Sequence, residues 1–71
     1  MNAHSIAIIL NGRPAETNAE STVQDLMNQL GLGGPGLAVA VNDEVVRKET
    51  FAQVRLSPGD KVEVIQAVGG G

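Results

Sequence analysis

Only one segment of this chain sustains a helical period. Val23, Leu26, Met27 and Leu30 recur at three- and four-residue spacing, which lines them along a single apolar stripe. Gln24, Asp25, Asn28 and Gln29 fall on the wet side. Thr22 is a good N-cap. Asp25, three residues on, can reach back to it and also favours the positive end of the helix. Gly31 suits the left-handed residue that ends a helix, and Gly33-Gly34-Pro35-Gly36 bars any continuation. One amphipathic helix has one stripe to bury, and laying it across one face of a mixed sheet is the simplest way to do so.

The flanking sequence supplies the strands. Ser5–Leu10 alternates Ile6, Ile8 and Leu10 with Ala7 and Ile9, and β-branched residues suit a pleated surface. Asn11-Gly12 is the strongest short-range hairpin signal, because a type I′ turn needs two residues tolerant of positive φ. A return strand is expected over residues 13–17. Pro14 cannot donate to a ladder, so that strand belongs at an edge. Leu37–Val41 is almost entirely apolar and reads as a central strand covered on at least one face. Asn42-Asp43 turns it back into residues 44–47, which carry Val45 and Val46. Residues 48–54 keep no period and read as a single helical or 3₁₀ turn from which Phe51 plugs the core. Ser57-Pro58-Gly59-Asp60 has Pro and Gly where a type II turn prefers them. Residues 61–68 form the last strand, with Val62 and Val64 alternating with Glu63, Ile65 and Ala67. The expected class is α+β: one domain over residues 1–71, with one helix packed across a mixed four- to five-stranded sheet.

Size and composition narrow the function. Seventy-one residues bury only about 60% of their unfolded surface, which leaves no room for a substrate pocket with its own supporting shell. A self-contained enzyme is disfavoured. The absence of cysteine rules out a disulfide, a thiolate metal site and a persulfide on the chain itself. His4 stands alone near the N-terminus, with no second ligand in sight. A net charge of −3 with Phe51 as the sole aromatic offers nucleic acid neither phosphate attraction nor a stacking platform. The apolar runs are five residues long, too short for a signal peptide or a membrane span, so the expected location is the cytoplasm. The glycine cluster at residues 33–36 lacks the Lys-Ser or Lys-Thr ending and the following helix of a phosphate loop.

Ala67-Val68-Gly69-Gly70-Gly71 is the remaining feature. Glycine runs fix nothing within a fold, so residues 68–71 are expected to form a thin, flexible tail. Three extended residues reach roughly 10 Å, enough to pass down a channel that side chains would block. Two readings follow: a frayed terminus, or a thread that presents the Gly71 carboxylate as the chemically active group.

The order of these pieces resembles the β-grasp fold of ubiquitin-like proteins. The closer match is to the bacterial sulfur carriers of the ThiS family, which serve thiamine biosynthesis. The resemblance rests on Asn11-Gly12, on Thr22-Val23 with Leu26, and on Leu37-Ala38-Val39-Ala40-Val41-Asn42 followed by Val45-Val46. Leu56, Gly59-Asp60 and Val62-Glu63 continue it into the closing glycines. It covers nearly the whole chain from Ile6 onward, and the third glycine departs from the family's minimal Gly-Gly ending. The resemblance implies that a ThiF-type adenylyltransferase activates Gly71 with ATP. Sulfur from a cysteine desulfurase then yields a thiocarboxylate, which thiazole synthase (ThiG type) consumes. Val68, Gly69, Gly70 and Gly71 are implied to enter the partner's active site. The chain itself is implied to be a carried co-substrate with no bound cofactor, no metal and no catalytic residue. If Ile6, Ile8, Leu10, Val62 and Val64 face the core, then Ala7, Ile9, Ile65 and Ala67 emerge together beside the tail as an apolar docking patch. A carrier for molybdopterin or cysteine synthesis, and an interaction module without tail chemistry, are the alternatives.

Overall fold

Asn11 and Gly12 take φ of 49° and 82°, and Asn42 and Asp43 take 52° and 70°. Both pairs form the mirror-image turns whose twist suits a two-residue hairpin. The computed structural model describes residues 4–67. In chain order these form β1 (Ser5–Leu10), β2 (Arg13–Asn18), α1 (Val23–Leu30), β3 (Leu37–Val41), β4 (Glu44–Val46), a 3₁₀ turn (Lys48–Thr50) and β5 (Lys61–Gln66). Boundaries differ from expectation in three places. β2 runs on to Asn18 and β5 stops at Gln66, while β4 stops at Val46 because Arg47 already leads into the 3₁₀ turn.

The five strands lie in the order β2-β1-β5-β3-β4. β5 is parallel to β1 and antiparallel to β3, which makes the sheet mixed. With one helix on one face, this is the β-grasp architecture. Pro14 sits on the edge strand β2, opposite Ile9, as its missing N–H requires. β3 is interior, but the middle position belongs to β5. The asparagines of both turns help hold β5 there. Asn11 accepts from Val64 N–H at 2.8 Å and donates to Val64 O at 3.3 Å. Asn42 accepts from Lys61 N–H at 3.0 Å and donates to Asp60 Oδ1 at 3.0 Å.

α1 closes over the other side of the sheet. Val23, Leu26 and Met27 meet Ile8, Val39 and Val62 from the strands, with Phe51 and Leu56 completing a core in which no residue is more than 3% exposed. Each such burial stabilises the fold by about 1.5–3 kcal/mol. The helix start is fully satisfied. Thr22 Oγ1 accepts from Asp25 N–H, Asp25 Oδ2 accepts from Thr22 N–H, and the next donors, Val23 and Gln24, reach Val54 O and Phe51 O. At the other end Gly31, at φ 71°, donates to Asn28 O while Leu32 N–H donates to Met27 O. That cap corrects one expectation. Leu30 is 41% exposed, and Leu32, turned back by Gly31, packs on the core in its place. No helix of the described residues is long and apolar enough to cross a membrane.

Candidate functional site

A strand turns alternate residues to opposite faces, and pairing fixes which residues share a face. Ile9 stands beside Lys61, Glu63 opposite Ala40, Ile65 opposite Ala38, and Ala40 opposite Val45. All of these lie on the face away from the buried Ile8, Val39 and Val62. Ile9, Ile65 and Val45 are 38%, 66% and 79% exposed there. Ala7, Ile9, Ile65 and Ala67 are therefore all exposed, but the structure does not gather them into one patch. β1 runs parallel to β5 with Ile9 level with Lys61, and Gly59 N–H donates to Ala7 O at 2.7 Å. Ile9 is thus four residues, about 13 Å, from the level of Ile65, and Ala7 is farther still from Ala67.

The neighbours of Ile65 come instead from β3 and β4. Ala38, Ala40 and Val45, with Asn11 and Glu63, line a shallow depression of about 420 Å³ on the open face. Ile65 and Val45 are its large exposed apolar side chains. Sequence reading missed Ala38, Ala40 and Val45 because the continuous apolar run of β3 hides its alternation. The available signal was the two-residue turn Asn42-Asp43, which obliges Val45 to oppose Ala40. Glu63 brings one carboxylate into this lining, and an ion pair lies beyond it. Lys61 Nζ lies 3.0 Å and 3.3 Å from the two Asp43 carboxylate oxygens. Its hydrogen bond to that carboxylate, the attraction of the same charge and a smaller contribution from Glu63 raise the lysine above its ordinary value.

At the end of β5 the loop before β3 meets the departing chain. Ala67 N–H donates to Gly36 O at 2.9 Å, and Gln66 Nε2 donates to Pro35 O at 3.3 Å. The expected reactive stretch, Val68, Gly69, Gly70 and Gly71, lies outside the described residues. The described residues contain no group of three or more His, Cys, Asp or Glu side chains placed to hold a metal ion.

Known proteins share both sequence and shape with this chain. A model of the ThiS family matches residues 8–71. The sulfur carrier protein ThiS of Escherichia coli is 33% identical over 64 residues, which cover 90% of this chain and 97% of that protein. A thiazole synthase of Paramagnetospirillum magneticum is 38% identical over 64 residues, 90% of this chain but only 20% of that protein, so the chain spans about one fifth of that relative. The crystal structure of the thiamine biosynthesis protein ThiS from Geobacter metallireducens has a TM-score of 0.77 at 28% identity, covering 93% of this chain and 100% of that one.

Proposed function

Because the chain belongs to the ThiS family, we propose that it is a sulfur carrier for thiazole formation in thiamine biosynthesis, acting as a co-substrate and not as a catalyst. The observation that carries this is the family match itself, which spans residues 8–71. The reading requires a free α-carboxylate on Gly71.

A carboxylate resists nucleophiles because its charge is delocalised, so it must first be activated. A Gly71 oxygen attacks the α-phosphorus of ATP on a ThiF-type adenylyltransferase, releasing pyrophosphate and leaving an acyl-adenylate. The terminal sulfur of a persulfide derived from a cysteine desulfurase then attacks the acyl carbon. AMP departs with one former carboxylate oxygen. A thiol cleaves the resulting sulfur–sulfur bond by exchange, forming a disulfide on the donor side and leaving the thiocarboxylate on Gly71. That sulfur is the nucleophile delivered to thiazole synthase. The similar stretch inside a protein named thiazole synthase supports this receiver. The chain has no cysteine, so the persulfide has to reside on a partner. The need for ATP supports a cytoplasmic location for the carrier.

Docking falls to the open face of the sheet, with Ile65 and Ala67 joined by Ala38, Ala40 and Val45, and with Ala7 and Ile9 forming a second apolar area toward the Gly59 end. Intact-mass measurement after incubation with ATP, the adenylyltransferase and a sulfur source tests the proposal. Exchange of one oxygen for sulfur adds about 16 Da. The gain should vanish when Gly71 is deleted or when any residue is added after it. An unchanged mass with competent partners points to an interaction module. A thiocarboxylate that rescues molybdoenzyme activity but not a thiamine auxotroph assigns a different receiver.

A further inference from the structure

β5 ends at Gln66, yet its pairing with β3 continues one step further in irregular form. Leu37 is level with Gln66, and the next pair outward is Gly36 with Ala67, joined by the 2.9 Å bond from Ala67 N–H to Gly36 O. Gln66 Nε2 reaches Pro35 O, and Lys48 Nζ donates to Gly34 O at 2.7 Å, tying the same loop back to the 3₁₀ turn. The approach at Gly36 is unusually close. A Cβ built there would lie 3.0 Å from Ala67 O and 3.1 Å from Ala67 Cβ.

Gly36 also has φ of +87°, where side chains are strained. Gly12, Gly31, Gly34 and Gly59 share positive φ, but a Cβ on any of them would point into open space. Gly36 is the one described glycine whose lack of a side chain permits a contact, and that contact is with the last described residue before the terminal stretch.

We propose that Gly36, with Pro35, is a positioning clamp that fixes where the chain leaves the sheet at Ala67 and so aims the Gly71 carboxylate relative to the docking face. This rests on the carrier function proposed above. Freeing residues upstream of a reactive group on a linker enlarges the volume that group explores and lowers its effective concentration at a partner's active site. Of the docking residues on the open face the clamp holds only Ala67, at its edge, and leaves Ile65, Ala38, Ala40 and Val45 in place. Loosening Ala67 therefore slows the chemistry of a docked carrier far more than it weakens docking.

The test compares Gly36→Ala with Gly59→Ala in the full chain. Gly59, at φ +85° with open space around it, carries the same backbone strain without the Ala67 contact. The Ala67 amide of Gly36→Ala should exchange with solvent at least about tenfold faster. With the ThiF-type enzyme and ATP, its kcat for adenylate formation should fall about 10- to 100-fold while KM changes by less than about threefold, and Gly59→Ala stays within about twofold of the parent chain in both. Adding Ala67→Gly to Gly36→Ala removes the side-chain part of the clash and should recover part of kcat. Equal kcat in the two single variants overturns the proposal, and so does a loss carried mainly by KM. Should Gly36→Ala fail to fold, Gln66→Ala, which removes only the bond to Pro35, carries the same test through Ala67 exchange and kcat. Failure of the parent chain to be adenylated at all defeats the carrier reading. Ala67 exchange then still decides whether the clamp exists.

Discussion

The two faces of the sheet are cut from the same five strands and carry similar side chains, yet only one is dry. Ile8 is 1% exposed and the adjacent Ile9 38%; Val39 and Val62 are 2% and 0% exposed while Val45 is 79%. Hydrophobicity does not distinguish these residues; strand parity does. Parity is set by turns that allow no slippage, since a one-residue shift in register would exchange the two faces. Coverage is limited in turn by α1. Its eight residues offer one stripe, about 12 Å long. A chain with one helix of this size can seal one face and leaves the apolar residues of the other free to meet a partner.

A carboxylate on each face gives the widest contrast. Val62→Asp places an unpaired charge in the dry core, at a cost of several kcal/mol against a total stability of only about 5 kcal/mol for a domain this small. Its far-UV circular dichroism at neutral pH should be that of an unfolded chain. Ile65→Asp should melt within about 4 °C of the parent, yet bind the adenylyltransferase about tenfold more weakly in titration calorimetry. Equal loss of melting temperature in both would make Ile65 a structural residue and remove the distinction between the faces.

The features legible in the sequence are those whose physics is local. Asn11-Gly12 and Asn42-Asp43 announce positive φ, Thr22 with Asp25 announces a cap, and Gly31 announces a stop. Phe51 and Gly59 keep the roles their neighbours suggest. What stayed hidden depends on partners distant in sequence. The parallel alignment of Ile9 with Lys61 moves Ala7 and Ile9 away from Ile65, and no local signal encodes that register. Leu30 fits the helical stripe, but the reversal at Gly31 brings Leu32 to the core first. Gln29 is exposed as its place on the wet side of the helix suggests, but nothing local shows that its Oε1 accepts from the buried Thr17 hydroxyl at 3.0 Å. The two turn asparagines showed their backbone role but not their grip on β5.

That grip gives the next contrast. The covered face is held by packing, whereas the open face has no layer above it and leans on hydrogen bonds at its margin. Asn11→Gly keeps a residue comfortable at positive φ and removes only the two bonds to Val64. The expected loss is about 1 kcal/mol, read as a lower urea midpoint. An unchanged midpoint would mean that β1 and β5 hold register through backbone pairing alone.

The smallest effect concerns the one ion pair among the described residues of the open face. Lys61 and Asp43 have side chains 48% and 73% exposed, so their attraction is largely screened. Its sign is nevertheless fixed. Asp43 raises Lys61 in the folded chain, so the folded state holds the proton more tightly than the unfolded one. The stabilisation is therefore fully present below the ordinary lysine value of 10.5 and is lost as pH climbs through the raised folded value. Asp43→Asn, which tolerates the same positive φ, should lower the urea midpoint slightly and by a constant amount from neutral pH until that range. Above it the variant and parent should converge. Salt should shrink the difference at neutral pH, because an exposed pair is open to counterions. A salt-insensitive difference would mean that water is excluded around Lys61, contradicting the description of that face as open.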